Sequence, residues 1–137
     1  MNVTDLIKDH EGKSLALYTC TAGRFTIGVG RNIQDNGIRD DEAELMLAND
    51  IRECRLQLIQ RYPWFNALDE VRQAACIDLL FNLGPMRLAG FKKFLAAMLR
   101  GDYERAGAEL VDSTWYSQVG RRGPRIVSMV ATGKWPT

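Results

Sequence analysis

The chain opens on a short amphipathic pattern. Val3, Leu6, Ile7 and His10 fall at helical spacing, with Asp5 and Lys8 off the stripe, which predicts a helix over about 3–10. Glu11-Gly12 ends it, glycine being a common helix terminator. Between 14 and 33 the period shortens. Leu15, Leu17, Phe25, Ile27 and Val29 alternate with small or polar residues, and Thr19-Cys20-Thr21-Ala22-Gly23 interrupts them as a turn. That is a β-hairpin pattern. Gly23, Gly28 and Gly30 indicate tight backbone or a cleft wall free of side chains, and Asn36-Gly37 is a further turn.

From Asp40 on, the pattern is helical. Asp41 followed by Glu44 fits an acidic helix start with Asp41 as the cap. Leu47, Ile51, Cys54 and Leu58 continue one stripe until Pro63, with Trp64 placed to cap the long helix. Residues 67–83 are apolar nearly all round, as expected of the buried centre of a helical lobe, and Gly84-Pro85 closes them. Phe91, Phe94, Leu95 and Met98 mark another helix ending near Gly101, and a further one covers about 102–111. Shorter helices flank Trp115 and follow Pro124, with Trp115 and Trp135 as their anchors. One helix, a small β region and then helices alone give an α+β class. A small sheet lobe beside a helical lobe is expected to leave a cleft, where ligands tend to bind.

Composition narrows the class. With 137 residues the chain has the size of one ordinary domain. Its 46 % hydrophobic and 26 % charged residues exclude a disordered chain. The net charge of +1 argues against a polybasic nucleic-acid coat, and no stacking-aromatic pattern favours nucleic acid. The charge is uneven, however. Residues 113–137 carry Arg121, Arg122, Arg125 and Lys134 and no acid, leaving fourteen basic against seventeen acidic residues in the first 112. The arginine cluster is either a solvated face or a salt-sensitive attraction to an anionic wall or inner leaflet. No stretch reaches the roughly 20 apolar residues of a membrane span, so no transmembrane anchor is expected, and the first residues lack the apolar region of a secretory signal. Cys20, Cys54 and Cys76 are odd in number and widely spaced, which argues against a disulfide framework or zinc site and fits a reducing compartment. Cys54 and Cys76 read as small core residues, and His10, the only histidine, as a helix-face residue. No metal or cofactor is expected; Gly28-Val29-Gly30 lacks the third glycine of a dinucleotide fingerprint.

Three polar residues fall where the cleft is expected. Glu11 leaves the first helix, Cys20 lies in the hairpin turn and Thr26 on the following strand, with eight and then five residues between them. This spacing, inside Glu11-Gly12…Leu17-Tyr18…Gly23-Arg24-Phe25-Thr26-Ile27-Gly28-Val29-Gly30, resembles the phage-type lysozymes, the muramidase endolysins of the T-even kind, whose catalytic pattern is Glu, eight residues, Asp or Cys, five residues, Thr. Further blocks follow in the family's order: Asn36-Gly37-Ile38 with Asp41-Glu42-Ala43-Glu44, Leu68 to Ala75, Phe81-Asn82-Leu83-Gly84, Ala89-Gly90-Phe91, Ser113 to Gln118, and Arg121-Arg122…Arg125 before Thr132-Gly133-Lys134-Trp135. Nearly the whole chain is covered.

The resemblance implies one lysozyme-like domain over 1–137. Its β-rich lobe lies at about 12–38, an inter-lobe helix at about 40–60, and a helical lobe at about 64–137 with the N-terminal helix 2–10 packed on it. It implies hydrolysis of the β-1,4 bond between N-acetylmuramic acid and N-acetylglucosamine in peptidoglycan during host-cell lysis, a bacteriolytic and antimicrobial activity. Glycoside hydrolysis needs an acid for the leaving oxygen and a group that attacks the sugar or activates water. The acid must keep its proton near neutral pH, which burial or a neighbouring carboxylate favours. Glu11 takes that part, Cys20 is base or nucleophile, and Thr26 orients the water; the anomeric outcome stays open. Cys20 departs from the commoner Asp, and an unperturbed thiol, with a pKa near about 8.5, is only a few per cent thiolate at neutral pH. Phe81, Asn82 and Asn32 are the expected substrate contacts, although Asn32 differs in type from the T-even residue and Arg31 stands in place of a His. The stretch from Arg31 to Gly37 is shorter than in T-even lysozyme, so the small lobe is expected to be trimmed. The implied partners are peptidoglycan glycan strands and a separate holin-type pore protein without a stable complex. The expected state is a monomer in the host cytoplasm until release to the wall or periplasm.

Plainer readings stand beside these. Glu11 taken alone is a helix-end ion-pair partner, Cys20 a structural turn thiol and Thr26 an ordinary strand residue. Phe81 is equally core, and Asn82 equally a helix-end hydrogen-bonding group. For the whole chain, the rivals are a weakly active or inactive wall-binding module of the same fold and a lytic transglycosylase in which Glu11 works alone.

Overall fold

A computed structural model describes residues 1–137. The protein is α+β, with nine α-helices and a three-stranded antiparallel sheet, and it divides into two compact units, residues 1–46 and 47–137.

In the first unit, helix α1 (Val3–Glu11) starts on a reciprocal cap. The Asn2 side chain accepts from the Asp5 amide at 2.9 Å and the Asp5 carboxylate accepts from the Asn2 amide at 3.4 Å. Gly12 ends the helix, its amide donating to the Lys8 carbonyl at 2.8 Å. Strands β1 (Ser14–Thr19), β2 (Phe25–Gly28) and β3 (Arg31–Asn32) pair in sequence order. Tyr18 lies opposite Thr26, but Ser14 lies opposite Gly28, so β1 holds two more residues than β2 over that stretch. The Ser14 hydroxyl, which donates to the Ala16 carbonyl and accepts from the Ala16 amide, serves the groups that this bulge takes out of the ladder. Asn32 caps helix α2 (Ile33–Asn36). Two contacts tie α2 to β2 and the turn before it: the Phe25 amide donates to Gln34 Oε1 at 3.1 Å, and Arg24 pairs with Asp35 at 3.5 Å. Helix α3 (Asp40–Arg61) begins one residue before the expected cap. Asp41 lies inside its first turn, and the Glu42 carboxylate reaches back to the Arg39 amide at 2.8 Å instead.

The second unit is built round helix α4 (Glu70–Leu83), capped by Asp69 and preceded by a 3₁₀ turn over Phe65–Ala67. Val71, Ala75, Cys76, Ile77, Leu79, Leu80 and Leu83 of α4 are buried, each large side chain contributing about 1.5–3 kcal/mol of transfer free energy. They belong to one core with Leu58, Phe65, Leu88, Phe94, Met98, Leu110, Trp115, Ile126 and Val130. Helices α5 (Pro85–Ala89), α6 (Lys92–Arg100), α7 (Tyr103–Val111), α8 (Thr114–Gln118) and α9 (Arg122–Thr132) supply the rest. Gly84 closes α4 as expected, but helix α5 is unforeseen: Pro85 opens it at its first position, where a missing amide costs least. Helix α9 likewise starts at Arg122 and holds Pro124 within its first turn. The Trp64 ring stacks on Tyr62 with centroids 5.4 Å apart. Trp115 is a buried anchor, as expected, whereas Trp135 is 57 % exposed.

One side chain fastens α9 to α4. Arg72 donates from Nε to the Val130 carbonyl at 2.7 Å and from Nη2 to the Ala131 carbonyl at 3.1 Å. It pairs with Asp69 at 3.0 Å and lies 4.0 Å over the Tyr103 ring. Burial opposes ionisation of Asp69, but the Arg72 amide and guanidinium outweigh it and hold the carboxyl below its ordinary range. Arg72→Met is expected to lower stability by about 2–3 kcal/mol, since two charge-assisted bonds to helix-terminal carbonyls are lost. Urea unfolding of the full chain checks this. Arg72→Lys is expected to restore little, because an ammonium cannot span both carbonyls and stack on the ring. Wild-type stability in the lysine variant would show that charge alone suffices.

Candidate active site

Glu11, Cys20, Thr26 and Asn32 all belong to the first unit, and Phe81 and Asn82 to the second. The hairpin turn positions Cys20. Its amide donates to the Arg24 carbonyl and its carbonyl accepts from the Gly23 amide, both at 2.9 Å, closing a tight turn over 20–24. Hydrogen bonds from the Arg24 amide, then the Thr26 hydroxyl, then the Ala22 amide lower the Cys20 pKa below its ordinary value. The other two thiols behave oppositely. Burial, then Asp50 and Glu53, raises Cys54, and burial, with Asp69, pushes Cys76 up to about 12.

Thr26 is the one buried residue of the first unit, 3 % exposed. Strand pairing with Tyr18 on one side and Asn32 on the other encloses it. Its hydroxyl donates to the Arg24 carbonyl at 2.9 Å. A hydroxyl carries one proton, so Thr26 serves either that carbonyl or the Cys20 sulfur at a given moment.

Glu11 is the last residue of α1, and its side chain lies against Gly30. A Cβ at position 30 would stand 2.7 Å from Glu11 Oε2, 2.8 Å from Cδ and 3.0 Å from Cγ. Gly30 has φ +69°, a conformation that glycine adopts without strain. The structure thus brings Cys20 and Thr26 together and places Glu11 on the turn that follows Thr26 in the same hairpin. That turn was legible as tight backbone, but its contact with Glu11 was not.

The three expected substrate contacts differ in what they leave free. Both ends of the Asn32 amide are engaged locally, Oδ1 by the Asp35 amide at 3.0 Å and Nδ2 by the Asp35 carboxylate at 2.8 Å. Asn82 Oδ1 accepts from Trp115 Nε1 at 2.8 Å, leaving its amino group as the open end. Phe81 is 48 % exposed and so no part of the core. Ala74, Asp78 and Phe81 form the open face of α4, where a groove of about 420 Å³ also takes in Ile51, Arg122 and Trp135. Of the C-terminal arginines, Arg122 pairs with Asp78 at 2.9 Å, while the exposed Arg121 and Arg125 line an adjoining hollow of about 540 Å³. No helix is long and apolar enough to cross a membrane.

Comparison with known proteins places this geometry in context. A family model described as "Phage lysozyme" matches residues 8–129. The chain is 27 % identical, over 97 % of its length, to the pre-baseplate central spike protein Gp5 of Enterobacteria phage T4, of which it spans only 28 %. It is 26 % identical to a probable T4-type lysozyme 2 of Dictyostelium discoideum, covering 96 % of this chain and 95 % of that one. It is 33 % identical to an endolysin of Acyrthosiphon pisum secondary endosymbiont phage 1, over 87 % of this chain and 82 % of the relative.

The thiol environments can be tested directly. Under limiting iodoacetamide near pH 8, peptide mass analysis is expected to show Cys20 alkylated well before Cys54 and Cys76, because only its pKa is lowered. Thr26→Val removes the side-chain contribution and is expected to move the pH midpoint of Cys20 alkylation upward. An unmoved midpoint would leave the turn amides as the sole cause.

Proposed function

Because the chain belongs to the phage lysozyme family, we propose that it is a glycoside hydrolase that cleaves the β-1,4 bond between N-acetylmuramic acid and N-acetylglucosamine in bacterial peptidoglycan. The observation that carries this reading is the Cys20 thiol, held toward its ionised form by Arg24, Thr26 and Ala22, within a family match that spans Glu11, Cys20 and Thr26. It supports a base at the position where the reaction needs one. The endolysin among its relatives supports a role in host lysis.

Glu11 donates its proton to the glycosidic oxygen as the bond from the sugar carbon breaks. Water, oriented by the Thr26 hydroxyl, forms the new carbon–oxygen bond and gives its proton to the Cys20 sulfur. After the products leave, that proton returns through solvent to the Glu11 carboxylate. Turnover by this route inverts the anomeric carbon. Direct attack by the sulfur gives a thioglycosyl intermediate and net retention, and the two routes are separated by the anomer first formed. Asn32, Phe81 and the amino group of Asn82 are the proposed substrate contacts.

Incubation with purified peptidoglycan, followed by mass analysis of the released muropeptides, tests the reading. Wild type is expected to generate new reducing ends, and Glu11→Gln to lose at least about 100-fold of that rate, the usual contribution of a general acid. Anhydromuramic ends would replace the hydrolase by a transglycosylase. No release by wild type would leave a wall-binding module.

A further inference from the structure

The turn that Glu11 rests on has little to hold it. It runs Gly28-Val29-Gly30, with φ +72° at Gly28 and +69° at Gly30, and glycines of this kind add backbone freedom. Strand β3 beyond it is only two residues, Arg31 opposite Ile27 and Asn32 opposite Thr26. Two ladder pairs cannot by themselves fix where Gly30 stands. Yet the gap is tight, since a single added carbon there would lie within 3.0 Å of three Glu11 atoms. Small movements of residue 30 therefore change the space open to the Glu11 carboxyl.

What anchors the turn is the residue directly after it. Arg31 Nη1 donates to Glu42 Oε1. Glu42 also accepts from the Arg39 amide at 2.8 Å and lies 3.7 Å from the Arg39 guanidinium. One carboxylate thus joins β3 to the first turn of α3, eleven residues away. The pair is only 31 % and 29 % exposed and lines an otherwise apolar hollow of about 440 Å³ with Ile27, Val29, Ile33, Ile38 and Met46. Such walls limit screening by solvent. The Arg31 hydrogen bond and the Arg39 amide hold Glu42 down at about 2 despite some burial, so the carboxylate is charged throughout the neutral range.

We infer that the Arg31–Glu42 pair is a positioning device for Glu11, setting through Gly30 where the carboxyl of the proposed acid stands. The inference rests on the proposed role of Glu11 for its effect on rate, but not for its effect on geometry. Neither Arg31 nor Glu42 need touch substrate.

Two measurements on the full chain test it. Glu42→Gln keeps the shape and the acceptor for the Arg39 amide while removing the charge that Arg31 needs. It is expected to shift the side-chain ¹³Cδ resonance of Glu11 while circular dichroism stays native. On peptidoglycan it is expected to lower kcat by about 10- to 100-fold, the scale of a misplaced reacting group, with KM within about twofold. Arg31→Met is expected to do the same, Arg31→Lys to recover most of the loss, and the double variant Arg31→Met/Glu42→Gln to be no worse than either single one. An unmoved Glu11 resonance in both single variants overturns the inference, as does a loss confined to KM. If wild type releases nothing from peptidoglycan yet Glu42→Gln moves the Glu11 resonance, the positioning device stands and the proposed reaction falls. Should Arg31→Met fail to fold, Glu42→Gln and Arg31→Lys carry the test alone.

Discussion

A missing side chain at position 30 is the constraint on which the first unit turns. Glu11 occupies the volume that a Cβ would need, so the end of α1 and the β2–β3 turn are fitted to one another at contact distance. The fit requires a left-handed backbone at Gly30 and, two residues earlier, at Gly28. It also leaves β3 too short to stabilise itself. The remaining order comes from polar links spread along the chain: Phe25 to Gln34, Arg24 to Asp35, and Arg31 to Glu42. Thr26 alone in this unit is buried. Geometry here is set by hydrogen bonds, ion pairs and turn chemistry far more than by a core.

The second unit is held by the opposite means. Its helices close on the apolar sides of α4, and polar groups enter only where they finish a helix or satisfy a buried donor. Arg72 ends α9 while its guanidinium packs on Tyr103. Asn82 answers the Trp115 indole N–H, which would be costly to bury unpaired. A core of this kind opens only with much of the unit. A unit tied by exposed and half-exposed polar links opens piecemeal, so the candidate catalytic residues lie in the part of the protein with the lower cost of local movement.

That division explains what the sequence made legible. The stripe Leu47, Ile51, Cys54, Leu58 announced α3, and the apolar run after residue 67 announced α4, because periodicity reports burial. The hairpin was readable from alternation around a turn. Helix α5 was not, since Gly84-Pro85 has the same letters whether it stops one helix or starts the next. The polar start of α3 escaped as well, because Glu42 reaches back from inside the helix to the Arg39 amide while Asp41 accepts only from the neighbouring Glu42 amide. Trp135, read as an anchor by residue type alone, is not in the core, and of the two readings open for Phe81 its exposure excludes the core one. At the candidate site, spacing singled out Glu11, Cys20 and Thr26, and the family resemblance gave them roles. The Gly30 contact and the Arg31–Glu42 link join residues from different elements, and no local pattern encodes such a meeting.

The same logic accounts for a thiol where a carboxylate is commoner. The base proposed at position 20 needs its charge favoured, and a surface carboxylate has that without help. A thiol does not, so the turn must supply it. Gly23 closes the turn, and the Arg24 and Ala22 backbone together with the enclosed Thr26 hydroxyl lower the pKa of the thiol. The backbone contributions are fixed by the turn rather than by any side chain. That of the Thr26 hydroxyl is conditional. When the Thr26 proton points to the Arg24 carbonyl, the hydroxyl offers the sulfur nothing and has only its lone pairs to offer a water. When it turns toward the sulfur, it favours the thiolate. One rotating proton therefore couples the ionisation of Cys20 to the hydrogen bonding of any water held beside it, a coupling that a fixed backbone donor cannot provide.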